Sequence, residues 1–255
     1  MSKTTYSNNF YNGIRDGSRR SAEAVVPLVL NAIQPRSVVD IGCGDGTWLS
    51  VFQRCGVQDV FGMDGDYVSR NALRIPVDVF KTIDLSSPFE LSRKFDLAVS
   101  LEVAEHLPPG SADGFIASLV KLAPVVLFSA AIPLQGGKHH INEQWPDYWV
   151  ALFRRHNYVP IDSIRGRLWQ DASVEWWYVQ NCLLFASPSA LENNKTLRDA
   201  FEMTNPRQLS IVHPRFYAAF AREHSRPRTA AKTLLQALRF SLAGRSANSR
   251  DKLEI

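Results

Sequence analysis

The stretch that decides the fold is "VVDIGCGDGTW", which runs from Val38 to Trp48. It begins with a β-branched apolar run and then places glycine at positions 42, 44 and 46, in the spacing G-x-G-x-G. Continuous apolar runs are typical of a strand that is buried on both faces of a parallel sheet. Glycine tolerates positive φ angles and lets the backbone approach a ligand closely. The stretch therefore predicts a strand, a ligand-binding loop and the start of a helix at the carboxyl edge of a sheet.

Similar apolar runs recur along the chain, with helix-length segments between them. Strands are predicted at residues 37–41, 59–63, 95–101 and 125–130, and helices at 21–33, 47–55, 111–123 and 144–156. Further on, "YVPIDSI" (158–164) and "WYVQNCLLFA" (177–186) are predicted as two strands that pair antiparallel, because no helix is predicted between them. Strands that alternate with helices predict an α/β fold with a doubly wound sheet.

The charges around the glycine loop indicate the kind of ligand. Enzymes that bind dinucleotides favour G-x-G-x-x-G, with a third glycine that packs the helix on the strand. Here Asp40 precedes the loop and Asp45 lies inside it. These carboxylates would repel a pyrophosphate and attract a cationic or zwitterionic ligand.

The motif resembles motif I of the class I S-adenosylmethionine-dependent methyltransferases. Its acidic residue and three glycines are matched by Asp40, Gly42, Gly44 and Gly46. The resemblance continues to about residue 186 and includes "FDLAVSLEVAEHL" as the fourth-strand motif. It implies S-adenosylmethionine as cofactor and a seven-stranded, mostly parallel, Rossmann-like sheet with strand seven antiparallel. It also implies that Asp40 and the glycine loop hold the methionine portion, and that the ribose and adenine are bound by Asp64, Asp84 and Leu85.

A second cluster of ionisable residues follows the fourth strand. Glu102, Glu105 and His106 stand at i, i+3 and i+4, so they share one face if the chain turns helical there. A loop with two glycines after the fifth strand presents His139 and His140. Two close carboxylates repel each other unless a cation lies between them, and oxygen ligands with imidazole suit Mg²⁺, Mn²⁺ or a similar ion.

Glu102, Glu105, His106 and His140 are accordingly predicted as ligands of a divalent metal. This set resembles the metal sites of two branches of the superfamily, the small-RNA 3′-terminal ribose 2′-O-methyltransferases and the catechol O-methyltransferases of ubiquinone biosynthesis. Many members end the fourth strand in Glu-His and use no metal. In that alternative the glutamate caps the turn or orients the cofactor, and His140 or His106 is the general base. The predicted catalytic residues are His140, His106 and Glu105. His140 is favoured over His139 because similar sequences carry one histidine two residues before "NEQWP".

The acceptor is predicted from the aromatic residues and the charge. Five of the six tryptophans fall between residues 145 and 177. They either pack a core or line a pocket that stacks sugar or aromatic rings. With the resemblance to bacterial enzymes of glycan and natural-product assembly, they favour O-methylation of a sugar, glycan or other small molecule. The alternatives are ribose 2′-O-methylation of RNA and a non-catalytic scaffold. Nucleic acid is disfavoured because residues 1–190 are slightly acidic and the tail lacks interleaved aromatics.

The chain is predicted to have three parts. Residues 1–35 form a helical lid in which Tyr11, Arg20 and Ser21 reach over the cofactor, and residues 36–190 form the cofactor-binding domain. Residues 191–255 form a helical extension with 12 Lys/Arg against 6 Asp/Glu. Its helix at 229–244 packs on the domain, on a dimer partner or on a membrane surface, and the last ten residues are expected to be disordered.

Three features predict a cytoplasmic protein. The three cysteines form no Cys-x-x-Cys pair, the sequence shows no apolar leader, and no apolar run is long enough to span a bilayer.

Overall fold

The computed structural model describes residues 8–227, with side chains from residue 16 onward. The described residues form a seven-stranded sheet whose strands are β1 Ser37–Ile41, β2 Asp59–Asp64, β3 Phe80–Thr82, β4 Leu97–Leu101, β5 Val125–Ser129, β6 Val159–Ile161 and β7 Leu183–Ala186. Their order across the sheet is β3-β2-β1-β4-β5-β7-β6. Strands β1 to β5 pair in parallel, and β7 runs antiparallel to both β5 and β6. The predicted sheet, with strand seven antiparallel, is confirmed.

Helices cover both faces of this sheet. Their bounds are α1 Asn8–Ile33, α2 Thr47–Arg54, α3 Ala112–Leu122, α4 Pro146–Arg155, α5 Arg165–Leu168, α6 Trp176–Asn181, α7 Pro188–Asn193, α8 Lys195–Glu202 and α9 Pro214–His224. The helices predicted at 47–55, 111–123 and 144–156 are confirmed to within two residues at each end. The first helix ends at Ile33 as predicted but begins well before residue 21.

The strands bury both faces, which explains their unbroken apolar sequences. In β5, Val125 and Leu127 belong to the core layer that contains α1 and α2. Val126 and Phe128 alternate with them and belong to the layer that contains α3 and α4. Side chains alternate between the faces of a strand, so a strand with a helix layer on each side needs apolar residues at every position.

The prediction of a ten-residue strand at 177–186 is wrong over its first half. Helices α5 and α6 lie between β6 and β7, and α6 takes up the first five of those residues. Four residues are enough for β7 to pair with both neighbours. The helix instead packs Tyr178 edge-on against Trp48, with ring centroids 5.1 Å apart, and buries Gln180 and Asn181. The antiparallel pairing of β6 and β7 is confirmed.

The chain divides into two compact units, residues 1–213 and 214–255. The first unit extends past residue 190, where the sequence placed a domain boundary. The reason is that Leu197 of α8 is buried in the core and Asn194 donates to the main-chain carbonyl of Ala32 at 2.9 Å. In the second unit, α9 places the rings of Phe216 and Phe220 6.0 Å apart.

The helix predicted at 229–244, the predicted disordered end and the side chain of Tyr11 lie outside the described residues. None of the helices within residues 8–227 is long and apolar enough to cross a membrane.

Candidate active site

A large cleft lies at the carboxyl ends of the central strands. Its volume is about 1150 Å³, above the range of about 300–1000 Å³ that is usual for one small molecule. The described residues that line it are Gly42, Gly44, Asp64, Gly65, Asp66, Tyr67, Thr82, Ile83, Asp84, Leu85, Ser86, Glu102, Val103, His106, Leu107, Lys138 and His139. The cleft therefore combines most of the predicted cofactor residues with part of the predicted acceptor cluster.

The glycine loop is shaped by two different demands. Gly42 has φ 83° and Gly44 has φ 56°, both in the left-handed region that glycine tolerates best. A Cβ on Gly42 would lie only 2.3 Å from Cγ2 of Val103, whereas a Cβ on Gly44 would meet nothing within 4 Å. Gly42 is thus required by close packing, and Gly44 faces the open cleft. Gly46, also at positive φ, immediately precedes α2 and does not line the cleft.

Asp64 holds the loop from the end of β2. One carboxylate oxygen accepts the N–H of Gly44 at 2.6 Å, and the other accepts the N–H of Gly65 at 2.6 Å. The hydroxyl of Tyr67 also donates to it, and burial, followed by this hydrogen bond, raises the pKa of Tyr67. Asp64 is therefore oriented towards the cleft by three donors. Its predicted contact with the ribose stays a prediction.

The other predicted cofactor residues differ in exposure. Asp40 is only 3% exposed and is absent from the cleft lining. Burial, and then the charge of Asp64, raises its pKa well above the usual value. Asp84 is exposed at the cleft, where the hydroxyl and N–H of Ser86 donate to it and lower its pKa. Leu85 is buried beside it. Asp40 and Asp64 are both 3% exposed, but only Asp64 belongs to the cleft lining.

Three residues of the predicted acceptor cluster come together. Glu105 and His106 lie on a 3₁₀ helix, Ala104–His106, directly after β4, and His140 lies on the loop after β5. Their candidate ligand atoms all lie within 4.8 Å of one another. The two imidazole rings are nearly perpendicular, with centroids 4.7 Å apart. Burial, and then His140, lowers the pKa of His106, so this ring is neutral at neutral pH.

Glu105 is the buried member of this cluster. Its side chain is fully buried, and neither carboxylate oxygen has a hydrogen-bond partner among the described residues. Burial, and then the charge of Glu102, raises its pKa well above the usual value. Its main-chain carbonyl accepts the N–H groups of Ile141 and Asn142 at 2.9 and 3.0 Å. These two hydrogen bonds attach the histidine loop to the 3₁₀ helix.

Glu102 does not share a face with Glu105 and His106, so the predicted face of three is corrected. Its φ of 56° breaks the chain direction after β4, and the helical turn begins two residues later. Its carboxylate accepts from Gln135 at 2.8 Å and from Asn181 at 3.1 Å. Of the four predicted metal ligands, only Glu105, His106 and His140 form one group. No local pattern predicts the two amides, because they come from distant segments.

The two adjacent histidines take different positions. His139 is exposed, has φ 64° and lines the cleft. The side chain of His140 is 12% exposed and lies behind it, with Nδ1 3.0 Å from Oε1 of Glu143. Of the two adjacent histidines, His140 is therefore the one that belongs to the cluster. Within the cluster, His106 is the member that lines the cleft.

Glu143 was not predicted as a functional residue, yet it organises the histidine loop. Besides contacting His140, its carboxylate accepts the N–H groups of Leu134 and Gly136, both at 2.8 Å. Leu134 and Gly136 have φ 70° and 72°, so the carboxylate stabilises a strained turn. The sequence signal for this contact is weak: Glu143 stands three positions after His140 and six after the Gly136–Gly137 pair.

Replacing Glu143 with alanine is expected to loosen this loop. Each lost hydrogen bond to the carboxylate is worth about 1.5–3 kcal/mol. The amides of Leu134 and Gly136 should then exchange hydrogen at least about 10-fold faster, since they lose their acceptor. Hydrogen exchange followed by NMR or mass spectrometry measures this change. Glu192→Ala, on the exposed surface of α7, is the control, and equal exchange in both variants would contradict the assignment.

The tryptophans contribute mainly to packing. Trp149 is 2% exposed and contacts Phe128, and Trp177 contacts Trp176 and Tyr178. Among the described residues that line the cleft, the aromatic rings are those of Tyr67, His106 and His139. The predicted stacking pocket of tryptophans is therefore not part of this cleft.

The predicted lid residues serve to attach α1. Ser21 is fully buried and accepts the N–H of Glu175 at 3.0 Å. Arg20 forms an ion pair with the carboxylate of Glu175 at 3.3 Å. Neither residue lines the cleft. A lid formed by residues 1–35 stays a prediction.

Comparison with known proteins gives the family. Residues 14–172 match the sequence profile of a methyltransferase domain, and no curated protein sequence matches the chain. Among solved structures, magnesium protoporphyrin IX methyltransferase from Synechocystis PCC 6803, with bound S-adenosylhomocysteine, has a TM-score of 0.53 at 20% identity and covers 72% of this chain and 89% of its own.

Two further structures have the same fold. The sugar N-methyltransferase KedS8 from Streptoalloteichus sp. ATCC 53650 has a TM-score of 0.54 at 14% identity, covering 73% of this chain and 97% of its own. The amino pentose methyltransferase CalS10 from Micromonospora echinaspora has a TM-score of 0.51 at 12% identity, covering 73% and 99%. With the family match over more than half of its residues, the chain belongs to the methyltransferase domain family and is a class I S-adenosylmethionine-dependent methyltransferase.

Proposed function

We propose that the protein methylates a hydroxyl group of a small molecule, with a sugar or glycan as the favoured class. The observation that carries this proposal is the cluster of Glu105, His106 and His140 beside the cleft. Its member His106 lines the same cleft as Gly44 and Asp64. Basic groups are thus available next to the space that a methyl donor would occupy.

The chemistry of a hydroxyl acceptor requires such a cluster. S-adenosylmethionine supplies an electrophilic methyl group on a sulfonium. A sugar hydroxyl is a poor nucleophile until a base or a Lewis acid weakens its O–H bond. His106 can accept that proton because partial burial and the neighbouring His140 lower its pKa, which favours the neutral ring. A neutral amine already carries an available lone pair, whereas a hydroxyl gains more from a base or a Lewis acid at the moment of transfer, and the cluster offers a base and a candidate site for a metal ion.

The same three residues fit a divalent metal ion. Two imidazoles and one carboxylate are a known ligand set, and ions such as Mn²⁺ suit it better than Mg²⁺ because imidazole ligands favour transition metals. Both carboxylate oxygens of Glu105 are without a hydrogen-bond partner among the described residues, so they are available as metal ligands. Glu143 contacts Nδ1 of His140, which is the outer contact that metal-binding histidines usually make. Glu105, His106 and His140 would hold the ion, which would polarise the acceptor hydroxyl.

The three free cysteines support a reducing compartment, and we include a cytoplasmic location in the proposal.

The proposal is tested by an acceptor screen. Sugar nucleotides, glycans, amino sugars and phenols are incubated with S-adenosylmethionine, release of S-adenosylhomocysteine is measured, and NMR locates the new methyl group. Each assay is run with protein dialysed against EDTA, with and without added Mn²⁺. We expect a methyl ether that does not form with His106→Ala. An N-methylated product would contradict the hydroxyl acceptor, and full activity in protein shown to be metal-free would contradict the metal.

A further inference from the structure

Glu102 is held by a chain of amides that reaches across the fold. Its two carboxylate oxygens accept from Nδ2 of Asn181 and Nε2 of Gln135. Asn181 also donates to Oε1 of Gln135 at 3.0 Å, and Gln180 donates to Oδ1 of Asn181 at 3.0 Å. Gln180 is fully buried and Asn181 is 3% exposed. This amide chain, consisting of Gln135, Gln180 and Asn181, thus binds the carboxylate of a residue that lines the cleft.

Two main-chain donors fix the direction of every amide in this chain. The N–H of His213 donates to Oε1 of Gln180 at 2.8 Å, which leaves Nε2 of Gln180 facing Asn181. The N–H of Ile132 donates to Oε1 of Gln135 at 3.2 Å, which leaves Nε2 of Gln135 facing Glu102. A main-chain N–H cannot act as an acceptor, so neither amide can be reversed. Nε2 of Gln135 and Nδ2 of Asn181 are therefore both directed to the carboxylate, and Nε2 of Gln180 holds Asn181 in place by donating to its Oδ1.

The backbone of Glu102 is also fixed in an unfavourable conformation. Its φ of 56° is rare for a residue with a side chain. Its N–H donates to the main-chain oxygen and the hydroxyl of Ser129, at 3.0 and 3.1 Å. Strain that is retained through so many contacts indicates a functional position. The residue fixed in this way lines the same cleft as Gly42 and Gly44 of the glycine loop.

Within the described part of the chain, the groups that act on this carboxylate are the neutral donors Asn181, Ser129 and Gln135. Burial is the main cause that raises its pKa to about 7, and its remaining interactions are with neutral donors. Buried or half-buried carboxylates normally pair with a cation. Asp40, which the sequence assigned to the methionine portion, is buried and does not line the cleft.

We infer that Glu102 binds the ammonium group of the amino-acid portion of the methyl donor, and that Gln135, Gln180 and Asn181 are positioning residues that hold Glu102 for this contact. The inference replaces Asp40 in that role and removes Glu102 from the metal ligands. It depends on the methyl donor alone, so it stands or falls independently of the proposed hydroxyl acceptor.

Calorimetry with two ligands tests the inference. S-adenosylhomocysteine carries the ammonium group, and 5′-methylthioadenosine lacks the whole amino-acid portion. Both ligands are titrated at pH 7.5, with EDTA present, into the full-length wild-type protein and into the variants Glu102→Gln and Asn181→Leu. The control variant is Asn193→Leu, which changes an exposed amide of α7. We expect Glu102→Gln to weaken the binding of S-adenosylhomocysteine at least about 10-fold, as the loss of one charge-assisted hydrogen bond predicts. The binding of 5′-methylthioadenosine should weaken less than about 2-fold.

The ratio of the two affinities separates positioning from folding. Asn181→Leu is expected to lower the ratio of the affinity for S-adenosylhomocysteine to the affinity for 5′-methylthioadenosine about 3-fold to 10-fold, since Glu102 loses one of its two amide donors. General damage to the fold would weaken both ligands equally and leave the ratio unchanged. Gln135→Leu removes the other donor and serves if Asn181→Leu does not fold. An unchanged ratio in Glu102→Gln would overturn the inference. It would also be overturned if Glu102→Gln bound S-adenosylhomocysteine as the wild type does but lost Mn²⁺ binding, because Glu102 would then be a metal ligand.

Discussion

Glu105→Gln is expected to lower turnover of the identified acceptor by at least about 10-fold to 100-fold, the loss typical of even the outer contacts of a metal site, and to make the metal-free protein more stable. Glutamine has nearly the same shape, so packing around the fully buried site is preserved. What it removes is the only carboxylate among the three clustered residues. Affinity for S-adenosylhomocysteine should change less than about 2-fold, because Glu105 does not line the cleft.

The stability gain has a defined pH dependence. Burial raises the pKa of Glu105 well above its usual value in the folded protein, whereas in the unfolded chain it is about 4.3. Below pH 4 the carboxyl is protonated in both states, so its titration contributes nothing to a difference between wild type and variant. As the pH rises past 4.3, the unfolded chain loses the proton and the folded protein keeps it. The wild type therefore loses up to about 1.4 kcal/mol per pH unit relative to the variant, until the pH reaches the folded pKa.

Urea unfolding at pH 5, 6, 7 and 8 in the presence of EDTA measures this difference. Glu192→Gln, an exposed glutamate on α7, provides the baseline. A stability difference that stays constant from pH 5 to pH 8 would show that Glu105 is not kept protonated in the fold. Undiminished turnover would remove it from the active site whatever the unfolding curves show. The two measurements together separate a catalytic carboxylate from a merely buried one.

The sequence predicted the parts of the fold that depend on local patterns. Strands such as β5 are buried on both faces and appear as unbroken apolar runs. The glycine loop was identified because its conformation demands glycine at Gly42 and Gly44. β3 was not predicted as a strand from its pattern, since it has three residues and two of them are exposed. The helix α6 was missed because "WYVQN" has the aromatic and β-branched character of a strand, and only tertiary contacts such as Tyr178 with Trp48 favour the helix.

The candidate site was predicted in its composition but not in its connections. Spacing alone brought Glu105 and His106 together, and the order of β4 and β5 placed His140 near them. A single backbone angle at Glu102 separated it from the group, and no local pattern reports such an angle. The amides that bind Glu102 lie 33 and 79 residues away in the chain. Such contacts depend on the packing of three distant segments, which one sequence does not reveal.

Gly42→Ala is expected to weaken binding of S-adenosylhomocysteine by more than about 100-fold, a loss of about 2.7 kcal/mol. Two separate effects contribute. At φ 83° an alanine is strained by about 1 kcal/mol. Its Cβ would also lie 2.3 Å from Cγ2 and 2.8 Å from Cγ1 of Val103. Because Gly42 and Cys43 donate to the main-chain oxygen of Met63, the loop cannot move away from Val103 without breaking hydrogen bonds to β2.

Two variants separate the strain from the collision in the same calorimetric titration. Gly56→Ala, at φ 104° with nothing within 4 Å of its Cβ, carries strain without a collision and should bind S-adenosylhomocysteine like the wild type. The double variant Gly42→Ala/Val103→Ala removes both colliding methyl groups and should recover at least about 10-fold of the lost affinity. If the double variant binds no better than Gly42→Ala, the collision is not the cause. The cleft would then require glycine at position 42 for its backbone angle alone, as it does at Gly44.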